Sequence, residues 1–62
     1  MIRINDNAFD TIRAFGTNAC GQYVEVEDAI VRGTRHYVLW IDGRKIASGM
    51  DVGALVDMAR CI

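Results

Sequence analysis

Proline is absent from these 62 residues, histidine and tryptophan occur once each, and cysteine only twice. Each shortage excludes something. Without proline, a repeat or a low-complexity tract there is no marked linker, and the length suits one compact domain spanning residues 1–62. The longest uninterrupted apolar run, residues 37–41, falls far short of the roughly 18 to 20 residues that a membrane helix needs. A single imidazole, His36, with no Cys-x-x-Cys or His-x-x-x-His spacing, gives no structural zinc site. Seven basic against eight acidic residues leave a formal charge of −1, which argues against general electrostatic attachment to duplex nucleic acid or anionic lipid.

Chemistry-bearing motifs are missing as well. There is no glycine-rich phosphate loop of either common type, and residues 6–10 lack the glycine and terminal glutamate of a calcium loop. Cys20 and His36 could form a nucleophile–base pair, but so short a chain has little scaffold for a substrate pocket. No enzymatic activity and no cofactor are expected. No arginine- or lysine-led segment precedes a long apolar run at the start, so no signal peptide is read there. A cytoplasmic setting is expected, with Cys20 and Cys61 as reduced, small apolar core residues rather than a disulfide.

What is present is apolar material, 52% of the chain, in readable patterns. Residues 1–4 alternate as a short strand. Asn5-Asp6-Asn7 offers helix N-caps, and Ala8, Ile12 and Phe15 recur at helical spacing, so a helix is expected over residues 7–15, ended by Gly16. Residues 22–27 alternate valine with glutamate as a strand. A register with Val24, Val26 and Ile30 inward carries Asp28 inward too, and a bulge near Asp28 would relieve that conflict. After a turn at Gly33, residues 36–41 are β-branched and aromatic. Asp42-Gly43 then makes a two-residue hairpin loop that returns through residues 44–48. Its register pairs Ile41 with Arg44, Trp40 with Lys45, Leu39 with Ile46, Val38 with Ala47 and Tyr37 with Ser48. A second helix over residues 51–61 takes Asp51 as N-cap and buries Val52, Leu55, Val56, Ala59 and Ile62.

The expected architecture is a small two-layer α+β domain in the order (β)-α-β-β-β-α. A three-stranded antiparallel meander packs against two helices, and residues 1–4 are a candidate fourth strand. The hairpin register sorts Tyr37, Leu39, Ile41 and Ile46 onto one face and His36, Val38, Trp40, Lys45 and Ala47 onto the other. With the helices on the Leu39 face, Trp40 and Val38 are left on an open surface. The competing arrangement sets the helices on opposite faces and puts Trp40 in the core.

An open apolar face next to charges points to protein docking. Trp40, Val38 and Tyr37 would be anchors, with Arg35, Arg44, Lys45, Glu25 and Glu27 giving orientation. The expected function is a non-enzymatic protein–protein interaction module that acts sterically. Size alone suggests an accessory inhibitor of phage or mobile-element type, anti-CRISPR-like in that it blocks a host machine. One alternative is a small binder of single-stranded nucleic acid, stacking bases on Tyr37 and Trp40 inside a rim of arginines. Against that, Glu25, Glu27 and Asp28 repel phosphate. Another alternative is a homodimeric structural subunit joined through the same face.

Overall fold

The computed structural model describes residues 1–60; the expectations for Cys61 and Ile62 lie outside the described residues. The chain forms five strands, β1 (Ile2–Ile4), β2 (Ile12–Thr17), β3 (Tyr23–Val31), β4 (Thr34–Ile41) and β5 (Arg44–Gly49), then a helix α1 (Val52–Ala59). All neighbouring strands are antiparallel, in the order β1-β2-β3-β4-β5. This corrects the expected fold class: the sheet has five strands, not three or four, and one helix packs on it, not two.

The difference lies in residues 7–15. Ala8, Ile12 and Phe15 do recur at helical spacing, but three apolar positions in so short a segment do not fix a helix. Local hydrogen bonding decides the contest. Asn5 Oδ1 accepts from the Asn7 amide at 3.0 Å, Asn7 Oδ1 from Phe9 at 3.0 Å, and Asp10 Oδ1 from Ile12 at 2.9 Å. These side chains hold successive turns instead of capping a helix. Arg13 then donates to the carbonyls of Asn5 (2.7 Å), Asn7 (3.2 Å) and Asp10 (3.1 Å), tying the β1–β2 connection to its own strand. Gly16 is not a helix terminator. Its φ is +151°, and a Cβ there would collide with the Met1 carbonyl, so glycine lets β1 lie close against β2.

Both later turns are two-residue loops with positive φ at each position: Arg32 (54°) and Gly33 (78°), then Asp42 (49°) and Gly43 (80°). That is the hairpin geometry whose twist matches the strands. The β3–β4 ladder runs unbroken from Val24 opposite Ile41 to Val31 opposite Thr34, so no bulge relieves Asp28. Asp28 does share the inward face. It is held by Arg35 (Nε to Oδ2, 3.4 Å), while its other carboxylate oxygen is buried without a partner. Register shifts occur elsewhere, between Ile12 and Ala14 in β2 and between Leu39 and Trp40 in the final hairpin.

The second shift corrects the expected pairing. Ile41–Arg44 and Trp40–Lys45 stand as read, but Leu39 then faces Ala47, Val38 faces Ser48 and Tyr37 faces Gly49. Ile46 is the extra residue and is left exposed, whereas Ala47 turns to the Leu39 side and packs on the core. A one-residue insertion flips every side chain beyond it.

The core is Ala14, Val24, Val26 and Leu39 from the sheet against Leu55, Val56 and Ala59 from α1. Asp51 caps the helix as expected, its Oδ1 accepting from Gly53 (2.9 Å) and Ala54 (3.4 Å). At the other end Asn18, in the β2–β3 turn, donates from Nδ2 to the Ala59 carbonyl at 2.9 Å. Its Oδ1 accepts from Cys20 (3.1 Å) and Gln22 (2.9 Å), so one side chain both builds a turn and docks the helix. Cys20 is exposed and disulfide-bonded, which corrects its reading as a reduced core residue.

Candidate functional site

The only helix among the described residues lies on the Leu39 side, so the opposite side of the sheet carries no second layer there. Strand pairing lays a row across all five strands on that opposite side. Arg3 faces Phe15, Phe15 faces Glu25, Glu25 faces Trp40, and Trp40 faces Lys45. A second row sets Ile12, Glu27, Val38 and Ser48 beside it, and Tyr23 stands opposite Thr17 at the end. Aromatic rings alternate with charges, the anions are central, and the cations are at the edges.

Each of the two carboxylates has an aromatic residue with a polar tip beside it. Trp40 Nε1–H donates to Glu27 Oε1 at 3.2 Å, a diagonal contact between β4 and β3. Partial desolvation first, then the nearby charge of Glu25 and hydrogen bonding toward its carboxylate, raise the Tyr23 pKa above its ordinary value. Among the described residues, Glu25 and Glu27 have no ion-pair partner; the salt bridges are Asp28–Arg35 and Asp57–Arg60. Between the rings lies an open depression of about 240 Å³ lined by Tyr23, Glu25, Glu27, Trp40 and Gly43.

The structure brings together Trp40, Val38, Lys45, Glu25 and Glu27 from the expected docking set. The other three stand on the far side of the sheet. Tyr37 packs against the core, Arg35 pairs with Asp28, and Arg44 stands opposite Ile41 at the hairpin turn. Sequence reasoning misses Arg3, Phe15 and Tyr23. Phe15 is hidden by the helical reading of residues 7–15. Tyr23 is visible in principle, because it shares the alternation of Glu25 and Glu27.

No group of three or more His, Cys, Asp or Glu residues that could hold a metal occurs among the described residues, and no helix there is long and apolar enough to cross a membrane. His36 Nδ1 lies 3.2 Å from the Thr34 carbonyl. Cys20, being disulfide-bonded, offers no thiolate to an imidazole. Compared with known protein families, with curated proteins and with solved structures, the chain matches none of them.

Proposed function

We propose that this chain is a non-enzymatic binding module that docks its helix-free sheet face onto a protein partner and acts by occlusion. The observation that supports it is the pairing of exposed aromatic surface with unpaired charge. Phe15 and Tyr23 are 40% and 48% exposed, and with half-buried Trp40 they surround two carboxylates that no cation neutralises among the described residues. Trp and Tyr are among the residues enriched at interface hot spots, and complementary charge beside them orients a partner. The same anions disfavour single-stranded nucleic acid, because a strand stacked on Phe15 or Trp40 brings its phosphates over Glu25 and Glu27. They also disfavour a symmetric face-to-face dimer, which sets each central glutamate near its own copy. An accessory inhibitor of a larger machine, the role suggested by size, needs no more than such a docking face.

The test compares affinity capture from the native host by the unmodified chain, by Trp40→Glu and by Met58→Glu. Met58 is exposed on α1, away from the open face. The reading expects a protein retained by the unmodified chain and by Met58→Glu but lost by Trp40→Glu. Identical captures by all three reject it, as does capture dominated by salt-sensitive nucleic acid.

A further inference from the structure

We propose that the depression between Tyr23 and Trp40 is a receptor for one cationic side chain, an arginine or lysine presented by the docking partner. The inference rests on the docking reading and adds the chemistry of recognition. A volume of about 240 Å³ is below the roughly 300–1,000 Å³ of sites for drug-sized ligands and cofactors, but suits the end of a single side chain. Two aromatic residues and two carboxylates line it, and both kinds of group favour a cation.

One carboxylate is also positioned in advance: Glu27 is oriented by the Trp40 indole at 3.2 Å. A carboxylate has about four acceptor sites, so one such bond leaves capacity for an incoming N–H donor. Gly43, without a side chain, leaves the mouth beside the hairpin turn open. The chain's own cations do not fill the role: Arg3 and Lys45 stand at opposite ends of the cross-strand row, and neither makes an ion pair with Glu25 or Glu27. The net result is a small anionic socket with aromatic walls, complementary to a basic protruding residue.

The experiment titrates the full chain with N-acetyl-arginine amide and with its neutral isostere, N-acetyl-citrulline amide, following the Trp40 indole N–H resonance and the Glu25 and Glu27 backbone amides. The arginine amide is expected to shift all three saturably, and the citrulline amide to bind about tenfold more weakly, as loss of a charge-assisted contact implies. Glu27→Gln keeps an acceptor for the indole but removes the charge, and is expected to lower arginine affinity by a similar factor. Equal responses to both amides, no saturable response, or an unchanged Glu27→Gln titration overturns the proposal. A separate arm distinguishes this failure from failure of the docking reading. If Glu25→Gln/Glu27→Gln still captures the partner that Trp40→Glu loses, docking stands and the cation socket falls. If both variants lose it, both readings are supported.

Discussion

The two faces of this sheet have the same backbone and opposite chemistry. The covered face is aliphatic and small at its centre, with Ala14, Val24, Val26 and Leu39 fully buried. The open face carries Phe15, Tyr23 and Trp40 interleaved with Arg3, Glu25, Glu27 and Lys45. The small aliphatic residues let an eight-residue helix approach the sheet closely. A helix of that length spans only about 12 Å, so it covers the middle of the sheet and leaves Ile4 and Ile30 exposed toward its ends. On the other side, the Trp40 ring has its polar tip bound to Glu27 and can stay partly wet without collapsing onto its neighbours. The buried core is therefore confined to one face, and the other is the face proposed to bind.

Truncation separates the faces most sharply. Leu39→Ala should cost about 2–5 kcal/mol, since it empties a fully buried site, whereas Phe15→Ser should cost less than about 1 kcal/mol. Urea denaturation checks both, and similar costs would dissolve the distinction between a structural face and the face proposed for docking. The cover itself can be loosened at either end. Asn18→Ala removes the bond to the Ala59 carbonyl and the turn that holds it, and should cost about 1–3 kcal/mol, with faster hydrogen exchange in α1. Asp51→Ala removes the cap and should cost about 1 kcal/mol, read as a lower Tm and reduced helical ellipticity.

The smallest effect belongs to the open face and to pH. The Tyr23 pKa is raised in the folded chain, so its contribution to stability is fully present below the unfolded tyrosine value and is lost as pH rises through the higher folded value. Tyrosinate absorbance should therefore appear for Tyr23 at a higher pH than in the unfolded chain. Glu25→Gln should bring that transition back toward the ordinary value. A Tyr23 transition unmoved by this substitution would separate the ring from the carboxylate and weaken the socket on the open face.

Much of this arrangement is legible where several local signals agree. Asp42-Gly43 between two strand-like runs, the Val–Glu alternation of residues 22–27 and the Asp51 cap ahead of a helical stripe each point to one structure, and each forms. The helix does lie on the Leu39 side, which leaves Trp40 and Val38 on the open one. Legibility fails where one segment admits two local readings. Residues 7–15 carry caps and helical spacing, yet the same Asn and Asp side chains serve equally well as turn formers. Arg13 can gather three carbonyls only once the chain has folded back. The make-up of the open face is only partly legible for a related reason. Parity along β4 separates Trp40 from Tyr37 in any register, and grouping both as anchors overlooks it.

Local chemistry alone determined the two hairpin turns, the central strands and the capped helix, because glycine and aspartate conformational preferences and short-range alternation act between neighbours in the chain. Tertiary contacts decided the rest. β1 lies against β2 because Gly16 leaves room for the Met1 backbone. The shift opposite Leu39 sends Ala47 rather than Ile46 to the core, since packing under α1 favours the smaller side chain there. The row from Arg3 to Lys45 likewise exists only through pairing between strands far apart in sequence, so no local window contains it.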